Sequence, residues 1–331
     1  MTGAEQTAGG RAGWLSTSSW RRTFRDRPLI PLLVLLGLLV LILQVVNPGI
    51  ISAGWASSTI RVAIPLAILA ASQTLTMLTG GIDLSAASIA SMSAFIVASQ
   101  SPEQGTGPAI VIALIVAAVV GLVNGSGVGI FRVHPLIMTL GMSLVVLGFV
   151  TVYQRIVVTA GSEVPDGIRW LGGGTSFGIP NGLVLFVPLA AVILLGLRRA
   201  GFGRLLYAVG DNEVAARLSG VRVGRVLIVL YIVSGVLAGV AGIVLAGLTN
   251  AASSTLADTY LLPSVAAAVI GGTSIFGGRG GYAGTIVGAL ILTVLTTLLT
   301  VLSMPAPVRQ ILFGVIILAV AAAYTRITEE S

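Results

Sequence analysis

The chain has no cysteine and no lysine, and His134 is its only histidine. Charged residues make up only 9% of its 331 positions, and all 18 basic ones are arginines. Each shortage removes a class of chemistry. With no thiols and one imidazole, neither a structural zinc site nor an iron–sulfur cluster has enough ligands, so no metal site is expected. Without lysine there is no GxxxxGK[ST] phosphate loop, whose ammonium group holds the β- and γ-phosphates, and no Schiff-base chemistry. No catalytic residue and no cofactor is therefore assigned to the chain itself. A soluble domain carries about 25% charged residues, so this chain lacks the polar material to face water on all sides. What it has instead is apolar: 56% of its residues are hydrophobic, and 43 are glycine. That is the composition of an integral membrane protein. Its formal net charge of +7 sits in no aromatic-rich basic domain, so it speaks for membrane topology rather than nucleic acid.

Residues 1–28 are polar, and Arg11, Arg21, Arg22, Arg25 and Arg27 precede the first apolar run. That run is long for a leader core and no A-x-A site follows it, so a retained first helix is expected. A crossing helix needs about 17 to 25 mainly apolar residues. Segments 28–46, 60–79, 84–99, 108–124, 135–153, 182–197, 226–248, 261–276, 282–303 and 308–324 reach or approach that length. The runs 84–99 and 261–276 are short, and each touches a glycine-rich turn. With all ten crossing and the N-terminus cytoplasmic, 14 of the 18 arginines fall on the inner side, as the positive-inside rule requires. If 84–99 failed to cross, the loop from Arg198 to Arg225 would move outside. The apolar runs are continuous rather than alternating, which argues against a β-barrel. The expected fold is all-α: a polytopic transmembrane helix bundle of about ten spans with both termini cytoplasmic. Its parts are a cytoplasmic tail at 1–28, a membrane domain at 29–325 containing the loop 198–225, and a cytoplasmic tail at 326–331. Small residues in helical register at Gly121 and Gly125, Gly235 and Gly239, and Gly284 and Gly288 suit close helix crossings.

Three polar stretches stand out. In the loop 198–225, Asp211 or Asn212 is placed to cap a helix with its body at 213–219, and Gly220 fits the position just past its end. Val214 and Leu218 share one face, beside the small Ala215 and Ala216. Such a helix suits either a partner's groove or the lipid headgroups. The second stretch is Thr79-Gly80-Gly81-Ile82-Asp83-Leu84-Ser85. A carboxylate at membrane level is a functional candidate by default, yet Asp83 also stands where it would cap a helix start. The third, from Gly271 and Gly272 through Gly277, Gly278 and Arg279 to Gly281, reads as a tight inner turn. The spans otherwise offer uncharged polarity, with Gln73, Thr74, Thr76, Asn124, Thr139, Ser143, Tyr231 and Ser234. These residues exchange hydrogen bonds with a neutral, hydroxyl-rich solute or join helices to one another. Carriers driven by protons or ions usually place titratable groups within the membrane, and here Asp83 and Asp258 lie only at helix edges.

Together these residues resemble the permease subunits of bacterial ABC importers for monosaccharides, of the ribose, xylose and galactose type. The matching pieces are TGGIDLS at 79–85, Asn124-Gly125 followed by Pro135 and Thr139-Leu140-Gly141, YAVGDNEVAARLSG at 207–220, and GGTSIFGGRG at 271–280. Ala86-Ala87 stands where the family commonly has Val-Gly, and Glu213-Val214 where it often has Pro-Glu. The resemblance implies a bacterial cytoplasmic-membrane protein paired with a second permease copy or a sister permease. It also implies a cytoplasmic ATP-binding subunit that holds ATP and magnesium, and an extracytoplasmic sugar-binding protein. On this basis 210–220 is a coupling helix, with Gly210, Asn212, Glu213, Ala215, Ala216, Arg217 and Gly220 its ATPase-coupling residues. The candidate path residues are Gln73, Asn124, Thr139, Ser143, Tyr231 and Ser234. Gly80, Gly81, Asp83, Ser85, Gly271, Gly272, Gly277, Gly278 and Arg279 form structural or gating turns. The competing expectations are an ABC permease for branched-chain amino acids or nucleosides, a self-sufficient carrier or channel, and a membrane scaffold.

Overall fold

The computed structural model describes residues 29–157, 163–305, 307–315 and 318, so the tails assigned to 1–28 and 326–331 lie outside the described residues. Twelve helices follow in order: α1 (Leu29–Val46), α2 (Ala53–Met77), α3 (Ala86–Gln104), α4 (Thr106–Gly129), α5 (Pro135–Val157), α6 (Asp166–Gly173), α7 (Leu183–Arg199), α8 (Gly201–Asp211), α9 (Glu213–Leu218), α10 (Val223–Thr249), α11 (Asp258–Ile270) and α12 (Tyr282–Val301). Residues 307–315 are helical as well. The strands among the described residues are β1 (Thr175–Ser176) and β2 (Ile179–Pro180), a minimal antiparallel hairpin. The bundle is all-α and polytopic.

Among the described residues six helices, α1, α2, α4, α5, α10 and α12, are long and apolar enough to cross a membrane. The α7–α8 pair, bent by 66°, makes a seventh if it is counted as one broken span. Of the ten expected segments, 308–324 is described only at 308–315 and 318, and the rest of it lies outside the described residues. Two others, 261–276 and 84–99, depart from the pattern. The segment expected at 261–276 is a helix only to Ile270, because the chain turns at Gly271 and Gly272 and stays irregular until Tyr282. The segment expected at 84–99 is a helix at Ala86–Gln104, but it carries Ser88, Ser91, Ser93, Ser99, Gln100 and Glu103 and falls short of a lipid-facing composition. It is buried from Ala86 to Ala98 with few interruptions, so Ser91 and Ser93 meet neighbouring helices instead of lipid, while Glu103 near its end is exposed.

The 27-residue α10 is the central post, packed against α2, α3, α4 and α6. Its crossing with α4 explains the paired glycines. A Cβ at Gly121 would lie 2.2 Å from the Tyr231 carbonyl oxygen, and one at Gly235 would lie 2.5 Å from that of Ala117. The two backbones touch, which any side chain at these positions would prevent. The outer helices meet the bilayer: large apolar residues are exposed along α1, α4, α5 and α7, including Leu41, Ile115, Leu144 and Val192. α1 is held to the bundle mainly through Leu43, which clusters with Val294 and Leu298 of α12.

Candidate functional site

Between α2 and α3 the chain leaves the α-helix from Leu78 to Ser85, through turn bonds at Thr79 and Gly80 into an irregular stretch enclosed by other helices. Irregular backbone at membrane depth needs partners from protein, since lipid offers none. Four helices supply them. From α2, Gln73 meets the Asp83 backbone in both directions: its Nε2 donates to the Asp83 carbonyl at 2.7 Å, and its Oε1 accepts from the Asp83 N–H at 3.2 Å. From α5, the Thr139 hydroxyl accepts from the Leu84 N–H at 3.1 Å and lies 3.1 Å from the Ile82 carbonyl. From α4, Asn124 Nδ2 donates to the Ser85 hydroxyl at 2.8 Å. From α10, the Ser234 hydroxyl donates to Asp83 Oδ2 at 2.9 Å.

Asp83 is fully buried. Its Oδ1 accepts from both the backbone N–H and the hydroxyl of Ser85, at 3.0 and 2.6 Å. The carboxylate thus shapes the turn that leads into α3, while Ser85 occupies the cap position itself. Five of the six expected path residues converge on this turn. Gln73, Asn124, Thr139 and Ser234 bond to it, and Tyr231 stands against it, its hydroxyl 2.8 Å from where a Cβ on Gly81 would sit. The Tyr231 hydroxyl and Asn124 Oδ1 are buried without a hydrogen-bond partner. Ser143 stands apart on α5, its hydroxyl donated to the Leu140 carbonyl of its own turn.

A second cluster lies at one end of the bundle. Gly80 and Gly272, each just past a helix end, both have positive φ, +77° and +89°. The two glycine turns meet across a backbone bond, Gly278 N–H to the Leu78 carbonyl at 3.0 Å. The end of α8 is wedged against this junction. A Cβ on Gly210 would lie 1.8 Å from the Leu78 oxygen and 2.6 Å from the Gly278 nitrogen, a contact open only to glycine. The Tyr207 hydroxyl donates to the Gly280 carbonyl at 2.9 Å, and Arg279 is exposed beside it. Gly210, Gly277 and Gly278 thus join α8 to both turns.

Beyond that joint, α9 forms as its sequence dictates. The Asn212 side chain accepts from the Ala215 N–H at 2.9 Å, satisfying a donor that the first turn leaves free. At the other end Val221 N–H reaches the Ala216 carbonyl and Gly220 N–H that of Arg217, both at 3.0 Å, with Gly220 at φ +85°. This is the Schellman closure. Glu213 pairs with Arg217 one turn on and with Arg132 before α5. Ala216 faces inward into the protein's own core, whereas Val214 is 67% and Leu218 85% exposed. A short, doubly capped helix therefore presents two bare apolar side chains.

The sequence places this arrangement among known proteins. A family model described as the branched-chain amino acid transport system, permease component, matches residues 55–321. The chain belongs to that permease family. The ribose import permease protein RbsC of Escherichia coli K12 is 36% identical over 318 residues, covering 95% of this chain and 96% of that protein. The fructose import permease protein FrcC of Rhizobium meliloti is 34% identical over 86% of this chain and 83% of its own. RbsC of Bacillus subtilis is 33% identical over 85% and 88%. No solved structure matches significantly. This permease is a multi-pass protein of the inner membrane. The polar residues that bind the 79–85 turn were visible one by one in its sequence; their convergence was not, because it depends on how four separate helices pack.

Proposed function

We propose that this permease forms the membrane path of an importer for a neutral monosaccharide, driven by a separate cytoplasmic ATP-binding subunit and fed by an extracytoplasmic sugar-binding protein. The observation that carries the reading is similarity along nearly the whole chain to permeases named for ribose and fructose import. The interior agrees with a neutral cargo. Asp83, a buried carboxylate of the bundle, already accepts from Ser85 and Ser234. The other buried polar residues among those described are serine, threonine, asparagine, glutamine and tyrosine, with Arg61 half-buried and bonded to the Gly173 carbonyl. A branched-chain amino acid, the cargo in the family's description, would bring an ammonium and a carboxylate that need buried counter-charges.

In this reading ten segments of 29–325 cross the membrane or enter it, and the tails 1–28 and 326–331 lie in the cytoplasm. The loop 198–225 faces the ATPase, and a second permease copy or a sister permease completes the path. The permease holds no ATP site; ATP and magnesium belong to the partner. α9 docks through Val214 and Leu218. Asn212, Glu213, Ala215, Arg217 and Gly220 fix its shape, Ala216 seats it on the bundle, and Gly210 transmits its displacement to the turns at Gly80–Gly81 and Gly277–Gly278. Gln73, Asn124, Thr139, Tyr231 and Ser234 hold the path wall around Asp83.

The test is reconstitution with a sugar-type ATP-binding subunit and its binding protein, comparing wild type with Leu218→Arg. Since Leu218 is 85% exposed, arginine there leaves the fold intact. Wild type is expected to show ATPase activity that rises with sugar-loaded binding protein, and the variant to lose that response. Normal coupling in Leu218→Arg removes α9 as the docking element, and solute movement by the permease alone in liposomes replaces the importer reading with a carrier.

A further inference from the structure

At the end of the bundle remote from α9 lies a cavity of about 560 Å³ between α2, the start of α11, the second half of α12 and the helical residues 307–315. That volume is within the range of roughly 300 to 1,000 Å³ typical of small-molecule sites. Its α12 wall is a ladder of hydroxyls, Thr293, Thr296, Thr297 and Thr300, on one helix face. Each donates its proton to the carbonyl four residues back, at 2.7 to 3.0 Å. A hydroxyl whose hydrogen is committed in this way keeps its lone pairs free as acceptors. The facing walls supply donors: Trp55, whose indole Nε1 is buried without a partner, and Arg309, which spends one N–H on the Thr300 hydroxyl at 3.1 Å. Ser58 and Tyr260 add further hydroxyls.

An acyl chain would meet the apolar part of the lining, Val62, Leu66, Leu292 and Phe313, but would leave the row of acceptors and the indole N–H unpaired. A polyol, which donates and accepts at every hydroxyl and offers C–H faces to an aromatic ring, uses both. Position adds a second argument. From Thr59, in the cavity wall, to Met77, beside the Gly210 joint, α2 runs about 27 Å at roughly 1.5 Å per residue, close to the ~30 Å of a hydrocarbon core. The cavity therefore opens on the opposite membrane face from α9.

We propose that this cavity is the receiving site of the transport path, where a neutral polyhydroxylated solute is held between the α12 threonine ladder and Trp55 after it leaves the binding protein. The solute class rests on the sugar reading above; the location rests on the cavity alone.

Because the chain has no cysteine, Thr297→Cys introduces a unique thiol, and Ser58→Cys does so on the facing wall. Each variant is assembled with its ATP-binding subunit in proteoliposomes and treated with a cationic, membrane-impermeant methanethiosulfonate reagent from the side opposite the ATPase. Labelling, D-ribose and D-fructose uptake, and ATPase rate are then measured. The expected result is labelling of both thiols, loss of uptake with ATP hydrolysis retained, and slower labelling in the presence of sugar-loaded binding protein. Thiols that stay unmodified from that side, or complete modification with uptake intact, overturn the proposal. If the unmodified complex takes up neither sugar, the sugar reading fails and the polyol assignment fails with it. Labelling needs no sugar, so it separates that failure from a cavity closed to water.

Discussion

Gln73 shows how a single uncharged side chain holds open a break in a membrane helix. Its amide matches a backbone unit, one donor and one acceptor, and so replaces for Asp83 the helical partners that the turn removes. Gln73→Leu keeps the size, leaves the buried Asp83 N–H without a partner and its carbonyl with only the 3.4 Å bond from Ala86 N–H, and so costs about 1 to 3 kcal/mol for the N–H alone. The permease in detergent is expected to melt clearly below wild type. Ser143→Ala, which deletes a hydroxyl bonded only within its own turn, is expected to change stability by no more than about 0.5 kcal/mol. Equal melting temperatures for the two variants would show that the turn is satisfied some other way.

At the scale of the element, α9 is six residues long, too short to persist on propensity alone. It is a helix because both ends are closed and Ala216 is anchored in the core. Removing the cap with Asn212→Ala costs about 1 kcal/mol, which corresponds to roughly fivefold faster amide exchange at 214–218, since 1.4 kcal/mol is tenfold. Unchanged exchange in that stretch would mean that packing alone keeps the helix formed. This element was legible in the sequence because capping is local: Asn212 and Gly220 each act within a few residues. The apolar cores of α1, α4, α5, α10 and α12 were legible for the same reason, since lipid selects on composition. α3 was harder to read. Its serines suit a helix enclosed by others, and enclosure is a property of the neighbours, so only the arginine balance across the loops argued for it. The break at Gly271 was visible as glycine, but the end of α11 at Ile270 was masked by the apolar Ile275 and Phe276 that follow. The 79–85 turn was recognised as a motif, while its partners at 73, 124, 139 and 234 are brought together only by tertiary packing.

At the scale of the whole molecule, the two ends of α10 carry different machinery. Near its start are α8, α9 and the junction of the glycine turns; near its finish, Gly172 of α6 packs on the Val244 backbone, and the β1–β2 hairpin follows. Val223 to Thr249 spans about 39 Å at roughly 1.5 Å per residue, enough to put these ends on opposite sides of a bilayer. The arginines set the expected direction. Arg198, Arg199, Arg204, Arg217, Arg222 and Arg225 crowd the α8–α9 end, and by the positive-inside rule that end is expected on the cytoplasmic side. Phe177 at the hairpin tip is wholly exposed, with no arginine in the hairpin itself. An alkaline phosphatase reporter, which folds only outside the cytoplasm, is therefore expected to be active when fused after Gly178 and inactive after Gly220. Activity at both sites, or the reverse order, would contradict a single crossing by α10 in this direction. It would also move the α9 face and the threonine-lined cavity to the wrong sides for an importer.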